Sequence, residues 1–172
     1  MSTKAISINM VPHLLTLANL FFGFLSLIFT LDGKYSLAAG MIVLSVILDS
    51  MDGKVARRLA VSSDFGKQLD SLCDVVSFGV APAILVYQVI LHTYLGLLIA
   101  AVFVLCGAVR LARFNVLNIS TYFIGVPITF AGGLIGFLML FYKIVPWVFY
   151  PVLLAVLAVL MVAPFRVPKL GK

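Results

Sequence analysis

The sequence predicts an all-α membrane protein with six transmembrane helices and both termini in the cytoplasm. Three observations predict it. The 172 residues are 63% hydrophobic, with a mean hydropathy of +1.22 and only 10% charged residues; a soluble domain carries about 25% charge. The apolar residues fall into runs close to the 20 or so that a spanning helix needs. Ten of the twelve Lys and Arg lie on one side of a six-span arrangement.

The first run, 11–31, is uncharged and makes one span. It is too long for a signal-peptide core and no small-residue cleavage site follows, so no cleaved leader is expected. Residues 1–10, MSTKAISINM, read as a short interfacial helix ahead of it. The second span starts near Tyr35 and runs into Asp49. Its uncharged part is too short to cross, so the helix must continue through the acids that follow. The third covers 66–92 and carries Asp70 and Asp74; the fourth covers 94–113. Residues 114–142 are uncharged and too long for one span. FNVLNIS, Gly125 and Pro127 place a loop first, and the fifth span then covers 126–142. The sixth covers 146–163. No repeat or low-complexity linker divides the chain, so 1–172 reads as one domain.

Six spans return both termini to one side. Lys4, Lys54, Arg57, Arg58, Lys67, Arg110, Arg113, Arg166, Lys169 and Lys172 share that side, and Lys34 and Lys143 lie opposite. Cytoplasmic loops carry the excess of cations, which places the termini and the 54–67 connection in the cytoplasm of a multi-pass cell-membrane protein. The net charge of +6 is then a topology signal, and no nucleic-acid partner is expected. Cys73 and Cys106 lack metal-ligand spacing and read as buried free thiols. Tyr142, Trp147 and Tyr150 read as an interfacial aromatic belt. Gly132, Gly133 and Gly136 read as a close helix contact, or a dimer face.

Five of the six Asp, and no Glu, fall in LDSMDGKVARRLAVSSDFGKQLDSLCD, residues 48–74. Residues three or four apart share a helix face. Asp49 and Asp52 share one on the second helix, and Asp70 and Asp74 one on the third. These helices are consecutive and antiparallel, so the two pairs can meet. Each acid at the bilayer centre costs about 2.5–3.5 kcal/mol on the insertion scale. Divalent cations are the natural counter-charge, and hard Mg²⁺ or Mn²⁺ suits carboxylate oxygen. Four carboxylates are enough for two ions. Gly53, Ala56 and Gly66 clear space beside the acids, and Arg57 can set a planar fork on a phosphate. The stretch reads as a di-metal pyrophosphate site at the cytoplasmic face. The competing reading is a non-enzymatic cation or proton pathway, which has no need of the Gly, Ala and Arg between the acids.

The pattern Asp49-x2-Asp52-Gly53-x2-Ala56-Arg57-x8-Gly66-x3-Asp70-x3-Asp74 resembles the complete signature of the CDP-alcohol phosphatidyltransferase family. All eight fixed positions match. The resemblance implies six transmembrane helices, often a homodimer, with the active site opening to the cytoplasm. It implies attack of an alcohol hydroxyl on the lipid-side phosphate of a CDP-linked lipid, with CMP leaving. Asp49, Asp52, Asp70 and Asp74 would bind two Mg²⁺ or Mn²⁺ ions, with Asp74 also the general base. Gly53, Ala56, Arg57, Ser63 and Gly66 would sit on the CDP-lipid, with Thr16 and Asn19 beside them.

VVSFGVAPA, RLARFN, YFIGVPIT and TLANLFFGFLS are similar to the serine-using branch of that family. His13 stands where that branch often has Asn after Pro12. The acceptor implied is L-serine, and the product phosphatidylserine. Arg110 and Arg113 lie three apart at the cytoplasmic end of the fourth span, where either can pair with the serine carboxylate. Glycerol 3-phosphate and inositol phosphate stay open as acceptors, since cations are not scarce on that side.

Overall fold

The computed structural model describes residues 3–59, 63–117, 122–164 and 166–168, with the side chains of 3–12, 55–59, 117, 122–124 and 166–168 left out. Helix α1 spans Thr3–Leu31 and α2 Tyr35–Leu59. The helix expected over 1–10 is no separate element: α1 runs unbroken from Thr3 through Pro12. One proline removes one hydrogen bond from the ladder and need not end a helix. Gly33, at φ 73°, makes the tight turn into α2, a left-handed conformation that glycine adopts without a Cβ penalty. As charge spacing required, α2 continues ten residues beyond Asp49.

The next helix has three parts: α3 (Asp64–Asp74), a π-helical segment (Val75–Val80) and α4 (Ala81–Val89). Ser63 caps its start, with Oγ accepting from Gly66 N at 3.0 Å, so one of the orphan amides of the first turn is satisfied. Helix α5 covers Tyr94–Leu117, α6 Ile128–Met139 and α7 Phe149–Val162. The loop expected from residue 114 therefore begins later, because FNVL completes α5.

Four of these helices are long and apolar enough to cross a membrane: His13–Leu31, Tyr35–Lys54, Asp64–Val89 and Tyr94–Val116. The fifth and sixth expected spans correspond to the shorter apolar helices α6 and α7. The outer face of α1 is apolar as well: Leu14, Leu17, Phe21, Phe24, Ile28 and Leu31 are exposed at alternating three- and four-residue steps. That is one continuous helical stripe.

No strand was expected, yet Tyr122–Ile124 (β1) and Arg166–Pro168 (β2) pair antiparallel, Phe123 opposite Val167. Each strand is three residues, too short for periodicity to reveal. Gly125, at φ 70°, follows β1 and lies against α7; a Cβ there would come within 2.8 Å of Leu160 O. Val126 N then donates to that same carbonyl at 3.1 Å.

Inside the bundle, α1 lies along α2, α2 against α6, and α5 against α7. Phe78, Ile42, Phe103, Ile135 and Leu154 fill the centre. Gly132, Gly133 and Gly136 make close contacts within the chain. Added Cβ atoms would meet Phe78 Cα at 2.6 Å, Val46 Cγ2 at 2.8 Å and Ile42 Cβ at 2.9 Å. Tyr150 departs from the aromatic-belt expectation. It is fully buried and donates its hydroxyl to Leu138 O at 3.1 Å, since a buried phenol must find an acceptor. Trp147 is exposed, and Tyr142 meets Tyr35 edge-on at 6.0 Å.

Candidate active site

The second half of α2, the length of α3, the second half of α5 and the start of α6 converge at one end of the bundle. They enclose a cavity of about 440 Å³, within the usual range for a small-molecule site. Asp49, Asp52, Gly53, Asp70, Asp74 and Arg110 line it, with Ser50, Lys67, Ser71, Leu111, Phe114, Asn115, Pro127 and Thr129. The helical spacing of the acids thus brings all four to one cavity, although only three of the carboxylates converge.

Asp49, Asp70 and Asp74 each place one carboxylate oxygen within 4.8 Å of the others. Asp52 is held to one side, where Thr16 Oγ1 donates to its Oδ2 at 2.7 Å. Thr129 is a hydrogen-bond partner of Asp49. Asn19 Nδ2 donates to Asp74 Oδ1 at 3.4 Å. Asp70 Oδ1 is buried with no hydrogen-bond partner among the described residues. Three converging carboxylates with an orphaned oxygen form an all-oxygen, negatively charged donor set. Such a set fits a hard divalent cation and suits no soft one.

Arg110 reaches the cavity from α5, only 8% exposed, and its Nε has no partner among the described residues. Arg113, three residues on, is exposed and donates Nη1 to Val162 O at 3.3 Å, at the last turn of α7. It does not line the cavity. Gly53 does, and a Cβ there would meet nothing within 4 Å, so it makes no helix contact and leaves open space at the cavity wall. Gly66 differs: a Cβ would fall 2.9 Å from His13 Cε1, so this glycine lets α3 approach α1. Thr16 and Asn19 are buried behind the acids and do not line the cavity. The side chains of Ala56 and Arg57 lie outside the described residues, on the backbone of α2.

Sequence reasoning missed several members of the wall. Asn115 Nδ2 donates to Ser71 Oγ at 3.0 Å and to Gln68 Oε1 at 3.4 Å, joining α5 to α3. Ser71 lies one residue past Asp70, and Lys67 sits one turn before it. Their spacing from Asp70 and Asp74 was the available signal. Thr129 and Pro127 carried none, because α6 reaches the acids only through the tertiary fold.

An apolar helical bundle with a carboxylate-lined polar cavity at one end defines a membrane-type protein with an acidic, cation-competent site. A profile of the CDP-alcohol phosphatidyltransferase family matches residues 9–164, and the chain belongs to that family. Over 131 residues it is 47% identical to a CDP-diacylglycerol–serine O-phosphatidyltransferase of Methanocaldococcus jannaschii, covering 75% of this chain and 62% of that protein. The chain therefore spans less than two-thirds of that relative. It is 38% identical to an archaetidylserine synthase of Methanothermobacter thermautotrophicus, covering 98% and 75%. It is 37% identical to a CDP-diacylglycerol–serine O-phosphatidyltransferase of Bacillus subtilis, covering 95% and 93%.

Proposed function

We propose that the chain transfers the phosphatidyl group of a CDP-linked lipid to the hydroxyl of L-serine, releasing CMP and forming a phosphatidylserine-type lipid. The observation that carries the reading is the meeting of Asp49, Asp70 and Asp74 in one cavity with Arg110. The names of the relatives above support serine as the acceptor.

Each residue has a part in this reading. Asp49, Asp52, Asp70 and Asp74 would hold two Mg²⁺ or Mn²⁺ ions, which supply positive charge where the pyrophosphate gathers negative charge. Lys67 sets a further cation on the wall. Arg110, on the cavity wall, would hold the serine carboxylate, for which a planar fork is suited. With Asn19 on Oδ1 of Asp74, Oδ2 remains to take the serine hydroxyl proton as the oxygen attacks phosphorus. The P–O bond to CMP breaks as the new one forms. Ser71 and Asn115 tie α5 to α3, the helix that carries Asp70.

We also propose six membrane spans with both termini and the cavity at the cytoplasmic face. The 12 residues of α6 and 14 of α7 measure roughly 18 and 21 Å at 1.5 Å per residue, and the turns between them complete the crossing. The cation bias supports the orientation, since Arg110 and Lys67 lie at the cavity end. Homodimerisation belongs to the same proposal, on family resemblance.

The test is to incubate the purified protein with CDP-lipid, Mn²⁺, and serine, glycerol 3-phosphate and inositol 1-phosphate in competition, and to identify products by mass spectrometry. A serine lipid with stoichiometric CMP is the expected result. A phosphorylated acceptor outcompeting serine would reassign the acceptor and leave the chemistry. Absence of CMP with every acceptor would leave the cation or proton pathway as the better reading.

A further inference from the structure

We propose that Thr16 and Asn19 are positioning residues, each mounted on one face of α1 to set the orientation of one carboxylate from each acidic pair. The inference rests on the cation-dependent transfer reading above, but departs from the CDP-lipid contact that family resemblance implies for these two positions.

They lie three residues apart and so share a helix face. Thr16 Oγ1 donates to Asp52 Oδ2 at 2.7 Å, and Asn19 Nδ2 to Asp74 Oδ1 at 3.4 Å. Thr16 is 4% and Asn19 0% exposed, and the cavity wall includes neither. Both side chains therefore sit behind the carboxylates they contact, not on the wall of this cavity. Asn19 Oδ1 is buried and has no partner among the described residues. Burying an amide with one end unsatisfied is unfavourable, so packing does not account for Asn19. Its donor to Asp74 does.

The backbone beneath these donors is fixed. Ser45 Oγ from α2 and Ser77 Oγ from the π-helical segment both donate to Asn19 O, each at 3.1 Å. Gly23, one turn further on, makes room for Ser77; a Cβ there would lie 2.8 Å from Ser77 Cα. Two neighbouring segments, α2 and the π-helical turn, thus clamp the main chain of Asn19, and replacing its side chain leaves the clamp in place. A carboxylate that accepts one fixed donor loses rotational freedom and turns its other oxygen toward the cavity. Hydrogen-bond partners behind metal-binding side chains act in this way, and their loss typically costs about 10- to 100-fold in metal affinity or activity.

The experiment uses the full chain in detergent, with Thr16→Val, Thr16→Ser and Asn19→Leu. Gel filtration checks folding, and Asn19→Ala replaces Asn19→Leu if the latter aggregates. Mn²⁺ binding is titrated by electron paramagnetic resonance without substrate; kcat and the KM for CDP-lipid are measured separately. Thr16→Val and Asn19→Leu should each weaken Mn²⁺ binding by about 10- to 100-fold and lower kcat, with the KM for CDP-lipid unchanged. Thr16→Ser should restore parent behaviour. A rise in that KM with parent-like Mn²⁺ binding and kcat would make both residues nucleotide contacts and overturn the proposal. Parent-like values throughout would overturn it too. If the parent protein releases no CMP, the transfer reading fails by itself, and the Mn²⁺ titrations still decide the positioning role.

Discussion

Asp74→Asn keeps the shape of the side chain and its contact with Asn19 but cannot accept a proton. Turnover should fall by about 10²- to 10⁴-fold while CDP-lipid binding, measured by calorimetry, persists. Near-parent kcat would remove Asp74 as the base. Asp49→Ala and Asp70→Ala each take one carboxylate from the converging three, so both should raise the Mn²⁺ concentration needed for half-maximal rate or abolish activity. A chelator should stop the parent enzyme and added Mg²⁺ or Mn²⁺ should restart it; full activity in chelator would refute the cation site. The two arginines should separate. Arg110→Ala should lose about 10- to 100-fold in kcat/KM for serine, the equivalent of 1.5–3 kcal/mol for a charge-assisted contact. Arg113→Ala should not, since its guanidinium is engaged with Val162 O. At this scale the four acids were legible because charge is rare in the chain and their spacing is helical. Arg110 was legible as one of a pair, and only three-dimensional structure separated it from Arg113. Asn115 and Thr129 were not legible: uncharged, outside any motif, they meet the acids through helices distant in sequence.

Between residues and molecule stand the helices; apolar runs and charge breaks located the four long ones and the two shorter apolar ones in order. What those runs could not carry was local geometry. VVSFGV gives no sign of π-helical winding, yet the segment follows Asp74 directly and bears Ser77 and Phe78. Such insertions re-aim the side chains around them and recur at functional sites. Gly132 lies against that segment so tightly that Gly132→Ala would force a Cβ to 2.6 Å from Phe78 Cα. Backbone cannot swing aside as a side chain can. The substitution should cost about 1–3 kcal/mol, read as a lower Tm. Gly53→Ala is the contrast, with open space around its Cβ: Tm should hold, and any loss should appear in the KM for CDP-lipid. Tyr150 was misread for a similar reason. Its position near a helix start suggested an interface, but nothing in the sequence revealed that Leu138 O would lie within reach of its hydroxyl.

For the whole molecule, the testable quantity is sidedness. Asp32, in the turn before α2, and Asp64, at the start of α3, lie beyond opposite ends of α2, so a membrane-impermeant maleimide should reach Asp32→Cys from outside and Asp64→Cys only after permeabilisation. Labelling of both from one side would refute the six-span arrangement. The pairing of β1 with β2 has a further consequence, in the order of assembly. It closes the polypeptide into a ring around α6 and α7, and the stretch from Gly125 to Thr129, which supplies one wall of the acidic cavity, is anchored to that ring. During synthesis the acids on α2 and α3 emerge early, but this wall lacks its contact with α7 and the strand pairing until α7 and the residues after it leave the ribosome. A chain cut after Ala163 should insert its four long helices normally and yet bind CDP-lipid poorly. The acidic cavity would thus gain this wall only once α7 and β2 have been made, with substrate capture withheld until then.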